Sequence, residues 1–134
     1  MTMRLAPTTT LDTQFFWDAL RERRLLIQRC TGCGALRHPP RPMCPGCNDL
    51  GWDTIESSGR GTVYSFVMPL HPQFPWFEYP YVVALVELEE GTRIVSNVCD
   101  VAPADVTIGM PVEAFFAEFD GGLVLPQFRP RAGR

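Results

Sequence analysis

Two Cys-x-x-Cys pairs, Cys30/Cys33 and Cys44/Cys47, stand ten residues apart in the stretch CTGCGALRHPPRPMCPGC, residues 30–47. No other feature limits the fold as strongly. A Cys-x-x-Cys turn presents two thiolates to one ion, and two such turns supply the four soft donors of a tetrahedral zinc site. Gly32, Gly34 and Gly46 allow the turns to tighten so that backbone N–H groups face sulfur. Thioredoxin-like redox pairs rarely occur twice at this spacing, and paired disulfides do not suit a reducing compartment. The spacing therefore predicts a zinc ribbon. Four thiolates close the coordination sphere, so the expected zinc is structural and not Lewis-acidic. Cys99 falls within a strand pattern and is expected to be a small buried hydrophobe, not a ligand.

A chain of 134 residues has room for one ordinary domain, or a small domain plus a metal-stapled module. With 46% hydrophobic and 20% charged residues, it has the composition of a folded chain. No stretch is apolar for long enough to cross a bilayer. Residues 1–10 carry only Arg4 and no apolar run, so no secretory signal is expected in them. A cytoplasmic location with reduced thiols is the expectation. There is no lysine, which excludes Schiff-base chemistry by this chain's own side chains. The charge is split: residues 1–48 carry seven arginines against three acids, and residues 49–134 carry five against twelve.

Asp12 precedes TQFFWDALRERRLLIQ, in which Phe15 or Phe16, Ala19 or Leu20, and Arg23 recur at helical spacing. The pattern predicts a helix over 12–23, capped by Thr10 or Asp12. Phe15, Phe16 and Trp17 span most of a helix circumference, so this helix is either buried on several sides or docked on another chain. LLIQRC reads as a short strand entering the first knuckle. From Gly59 onward the sequence turns to strands: 62–68, 81–88, 93–99, 111–119 and 122–128. Five strands with no space for helical crossovers predict a closed antiparallel barrel of the five-stranded OB type. The chain thus divides into residues 1–58, helix and ribbon, and 59–134, barrel.

Candidate catalytic groups are few. His38 between the knuckles is read as a ribbon-surface residue, and His71 after the first barrel strand as a loop residue. GRGT, 59–62, is too short for a phosphate loop. No nucleophile–base pair is defensible, so the chain alone is not expected to be an enzyme. An OB barrel that binds single strands needs a basic groove, and this barrel half is acidic; nucleic-acid binding is disfavoured. The distinctive segment is PLHPQFPWFEYPY, 69–81, between the first two barrel strands. His71, Phe74, Trp76, Phe77, Tyr79 and Tyr81 make it a candidate partner or ligand loop, although its aromatics could equally fold back to cap the barrel.

Six blocks then carry a resemblance: FFWDALRERRLLIQRC, CGALRHPPRPMCPGC, GRGTVYSFV, YVVALVELEEGTRIVSNV, IGMPVEAFF and the closing FRP. In this order they are similar to the zinc-ribbon/OB-fold acyl-CoA-associated proteins, domain-of-unknown-function family thirty-five, over residues 13–130. The resemblance implies a mainly β protein with an N-terminal helix, a rubredoxin-like ribbon holding zinc on Cys30, Cys33, Cys44 and Cys47, and a C-terminal OB barrel. It implies a non-catalytic accessory subunit that supports a thiolase-superfamily enzyme acting on acyl-CoA thioesters. One branch serves a retro-aldolase of steroid side-chain degradation. The implied assembly is a hetero-oligomer with two copies of each chain, with coenzyme A thioester held at or near the interface and no membrane or nucleic acid involved. The alternatives are a stand-alone acyl-CoA-binding module and, further off, a single-strand-binding OB protein. The family usually has glycine where Arg23 stands. The arginines of the helix and ribbon could approach coenzyme A phosphates or simply form a solvated basic face.

Overall fold

In the computed structural model, which describes Arg4, residues 6–75 and residues 77–131, the aromatic cluster near the start of the chain is buried on several sides. It sits on helix α1, Gln14–Arg21, two residues shorter at each end than the periodicity suggests. Phe16 is buried in the core, Phe15 packs on Trp52 with ring centroids 4.8 Å apart, and Trp17 meets Phe16 edge-on at 5.0 Å. Neither side chain proposed as a cap serves. Thr13 is the N-cap without a side-chain bond, and the Thr10 carbonyl accepts the N–H groups of Thr13 and Gln14 at 3.2 and 2.9 Å.

The helix ends at a left-handed residue. Arg23 has φ 61°, and its neighbours close the end through Glu22 N–H and Arg24 N–H donating to the Ala19 carbonyl. This conformation suits glycine, which lacks the Cβ that crowds there. Arg23 also pairs with Glu118.

The ribbon is a three-stranded antiparallel sheet, order β2-β1-β3, from β1 (Leu26–Cys30), β2 (Leu36–Arg37) and β3 (Trp52–Glu56). Arg29 faces Asp53 across the β1–β3 pair and binds it in bidentate fashion at 2.8 and 2.7 Å. Strand β3 escapes the sequence pattern because WDTIE neither alternates nor buries a face fully.

The five expected barrel strands all form: β4 (Arg60–Val67), β5 (Val83–Leu88), β6 (Arg93–Asn97), β7 (Pro111–Phe119) and β8 (Leu123–Pro130). They pair antiparallel in the order β6-β5-β4-β7-β8. Strand β5 alternates cleanly, with Ala84, Val86 and Leu88 pointing into the core. Gly61 is required where β4 crosses β5, since a Cβ there would lie 2.5 Å from the Glu87 carbonyl oxygen. Full closure into a barrel is not observed. Among the described residues, Val98 just past edge strand β6 makes a parallel bridge to Phe128 of edge strand β8, and Ser96 Oγ donates to the Pro126 carbonyl at 2.6 Å across the gap. Pro126 has no N–H to offer a ladder at that point.

One apolar core joins these parts. Leu20 of the helix, Leu25 and Ile27 of the ribbon, and Val63, Val86, Val112 and Phe128 of the OB sheet belong to a single cluster. The connection between ribbon and sheet is latched: Glu90 accepts Ser57 Oγ–H and Ser58 N–H, each at 2.8 Å. No helix among the described residues is long and apolar enough to cross a membrane.

Candidate metal centre and partner surface

The two knuckles converge. The sulfurs of Cys30, Cys33, Cys44 and Cys47 all lie within 4.8 Å of one another, with Cys30 Sγ 3.5 Å from Cys47 Sγ and Cys33 Sγ 3.6 Å from Cys44 Sγ. A tetrahedron with zinc–sulfur bonds of about 2.3 Å has edges of about 3.8 Å, so the four donors fit the ion. Cys30 and Cys44 are buried, whereas Cys33 and Cys47 face outward.

Backbone donors favour the thiolate forms of Cys30 and Cys44. The N–H groups of Cys33 and Gly32 approach Cys30 Sγ at 3.5 and 3.3 Å, and the Cys33 contact leads in pulling that thiol below its usual range. At Cys44 the N–H groups of Cys47 and then Gly46 lower the thiol to about 6. Gly32 serves its turn directly: a Cβ there would collide with the Asp49 carboxylate at 2.3 Å. Cys99 stands apart, just beyond β6, with Sγ 3.5 Å from Gln127 Oε1. Burial first, and then Asp100, raises its thiol.

His38 is half-buried, its ring 5.2 Å from that of Phe16, and burial lowers it to about 4. It is neutral at ordinary pH and part of the helix–ribbon junction. His71 is exposed in the β4–β5 loop.

That loop packs largely on itself. Phe77 stacks on Tyr81 at 4.5 Å, Tyr79 meets both rings, and the Tyr79 hydroxyl accepts the Phe74 N–H at 2.9 Å. The Arg4 guanidinium lies between Phe77 and Phe119, 4.5 and 4.9 Å from their centroids, and donates to Asn97 Oδ1 at 3.4 Å. Trp76 lies outside the described residues. The apolar surface left to solvent lies at the loop's start: Val67, Met68, Leu70 and Phe74 are 61%, 41%, 54% and 43% exposed. Val67 and Met68 escaped the sequence reading, which weighed aromatics above the aliphatic residues at the strand end.

Residues 17–52 match the family model described as ChsH2, rubredoxin-like zinc ribbon domain, and residues 54–117 match ChsH2, C-terminal OB-fold domain. A probable enoyl-CoA hydratase alpha subunit of Thermomonospora curvata is 52% identical over 128 residues, 96% of this chain and 40% of that protein. The 3-oxo-4,17-pregnadiene-20-carboxyl-CoA hydratase alpha subunit of Mycobacterium tuberculosis is 44% identical over 86% of this chain and 37% of its own length. The chain therefore spans about two fifths of these hydratase subunits. A DUF35 domain-containing scaffold protein of Methanocaldococcus jannaschii is 43% identical over 75% of this chain and 73% of that one. Among solved structures, a chain of the Ltp2-ChsH2(DUF35) aldolase superposes with a TM-score of 0.89 at 52% identity, covering 92% of this chain and 98% of that chain.

Proposed function

Because this chain belongs to the DUF35 family of zinc-ribbon/OB-fold proteins, we propose that it is a non-catalytic accessory subunit docking on a thiolase-superfamily enzyme that acts on acyl-CoA thioesters in steroid side-chain degradation. The observation that carries this reading is the likeness, end to end, to a chain of an aldolase complex. The steroid thioester in the name of the mycobacterial relative points to the same substrate class. The assembly is a hetero-oligomer with two copies of each chain, working in the cytoplasm, where ligand thiols stay reduced.

Zinc, bound by Cys30, Cys33, Cys44 and Cys47, supplies a rigid crosslink and no open coordination position. The chain's own contribution is shape. Helix, ribbon and OB sheet share one core, so the surface from Val67 to Phe74 is held as one body against a partner. Coenzyme A thioester is then handled at or near the contact, with the reacting groups supplied by the enzyme.

The hydratase names favour a second reading, in which the chain serves as the scaffold domain of a hydratase subunit. Co-expression separates the two. A thiolase-superfamily product should co-purify with this chain and cleave or exchange its thioester substrate only in the pair. Co-purification with a hydratase-type subunit alone, with hydration as the activity, would replace the first reading by the second.

A further inference from the structure

Where the ribbon meets the β5–β6 turn there is a concavity of about 350 Å³ that the metal centre and the apolar surface do not use. Its wall includes Arg37, His38, Arg41, Gly91, Thr92 and Arg93, and no carboxylate lines it. Two polar groups in this wall are buried without a hydrogen-bond partner among the described residues: Nη1 of Arg37 and Oγ1 of Thr92. Their residues are only 5% and 9% exposed.

The orphaned guanidinium nitrogen is not a loose end. Arg37 Nε and Nη2 both donate to the Arg41 carbonyl, at 3.2 and 2.9 Å. The same carbonyl accepts Gln28 Nε2–H at 2.9 Å, and Gln28 Oε1 accepts the Arg41 N–H at 2.8 Å. Gln28 is itself 1% exposed, so the 38–41 loop and the guanidinium are fixed from below. Nε and Nη2 of Arg37 are spent on the fold, and Nη1 is left without a partner on a residue that lines the concavity. A desolvated cation without an anion and a hydroxyl without a partner, both on residues lining one concavity, are unfavourable unless an incoming group satisfies them.

The surrounding charge selects that group. Arg41 is exposed and shares the concavity with no carboxylate among its lining residues. Arg93 is held by Glu87 at 3.2 Å and lies 3.8 Å from the Tyr64 ring centroid, so it adds field at the rim. His38 is neutral, and its burial keeps it so. We propose that this concavity is a phosphate-binding site, in which Arg37 and Thr92 donate to the oxygens of one phosphoryl group and Arg41 closes over it. A tetrahedral phosphate presents oxygens to both walls at once, whereas a planar carboxylate offers two in one plane. A single basic cup on a chain of net charge −3 suits a small-molecule phosphate, not a nucleic-acid backbone that needs a continuous basic track. The phosphates of a coenzyme A thioester and free phosphate share this chemistry. The site itself does not depend on docking to an enzyme; only the coenzyme A source rests on that reading.

The test uses the zinc-loaded chain alone, titrated calorimetrically with inorganic phosphate, coenzyme A and dephospho-coenzyme A at matched ionic strength in chloride. Saturable binding is expected, weakened about tenfold or more by Thr92→Val and by Arg41→Met, both chosen because Arg37 holds the 38–41 loop through the Arg41 carbonyl and its loss could unfold that loop. Arg4→Met, at the far aromatic cluster, should leave the affinity unchanged. Tighter binding of coenzyme A than of phosphate, lost in dephospho-coenzyme A, assigns the site to the 3′-phosphate; equal affinities assign it to free phosphate. No saturation by any of the three, or equal binding by the folded Thr92→Val and Arg41→Met variants, overturns the proposal. Failure to pair with an enzyme would leave this result untouched, so the two readings fail separately.

Discussion

Replacing both Val67 and Leu70 by alanine tests whether the exposed apolar surface is the docking face. The two side chains are 61% and 54% exposed, so roughly half of each remains to be covered by a partner. Complete burial of such a side chain is worth about 1.5–3 kcal/mol, which leaves about 1 kcal/mol for each to gain on docking. Together they amount to about 2 kcal/mol, roughly a thirtyfold weaker dissociation constant. Because neither residue packs in the core, thermal stability should change by no more than about 0.5 kcal/mol. Titration of the variant against the thiolase-superfamily partner, with melting measured in parallel, reads both quantities. Ile108, 71% exposed in the connection from β6 to β7, is the control: Ile108→Ala should change neither. Phe77→Ala should behave in the opposite way, since its ring is stacked on Tyr81 and beneath Arg4; it should lower the melting temperature before it affects docking. An undiminished affinity in the Val67→Ala/Leu70→Ala protein would refute the placement of the docking face.

Freshly purified chain should carry about one zinc, and chelation or Cys44→Ser should unfold the ribbon, because structural zinc contributes on the order of 10 kcal/mol of apparent binding free energy; folded protein without zinc would defeat this. Between about pH 6.5 and 4 the unfolded chain binds a proton at His38 that the folded chain excludes, so stability must fall as pH falls through this window. His38→Gln should remove that part of the acid sensitivity, and equal pH slopes for the two proteins in chemical denaturation would show that His38 is not buried neutral. Arg23→Gly should raise stability by about 0.5–1 kcal/mol, since relief of the left-handed strain exceeds the exposed Glu118 pair it sacrifices; a less stable variant would mean the ion pair dominates.

Much of the fold could be read from residue patterns, and the misses share a cause. The cysteine spacing revealed the metal centre because four soft donors in that spacing have few other uses. Strand β5 announced itself through a nearly unbroken apolar run, and β7 through apolar residues interrupted only by Glu113 and Glu118. Strand β3 did not, since its partner β1 and the helix aromatics stabilise it by contacts distant in sequence. The absence of a full barrel seam has the same character: Pro126 and the Ser96 hydroxyl decide it across thirty positions of chain. The concavity at Arg37 and Thr92 was invisible for a further reason. Both residues look like ordinary surface polar groups in sequence, and only the ribbon folding against the β5–β6 turn removes them from water.

That last juxtaposition bears on how the two halves of the chain work together. Glu90, which latches the linker through Ser57 and Ser58, and Thr92, which walls the concavity, lie on the same β5–β6 turn. Arg37, at the end of β2, and Arg41, in the loop that follows, reach the concavity from the segment between the two metal knuckles. The position of one wall relative to the other is therefore fixed by the zinc on one flank and by the Glu90 latch on the other. Loss of either should enlarge the gap between the orphaned donors before it disturbs the OB sheet, whose ladder pairs are independent of both. A structural metal placed far from any reacting atom would in this way control how well the chain grips an anion. Zinc removal and Glu90→Ala should both weaken phosphate binding, while Val67→Ala and Leu70→Ala leave it intact. Retention of full phosphate affinity by the metal-free chain would separate the ribbon from the concavity and undo the argument.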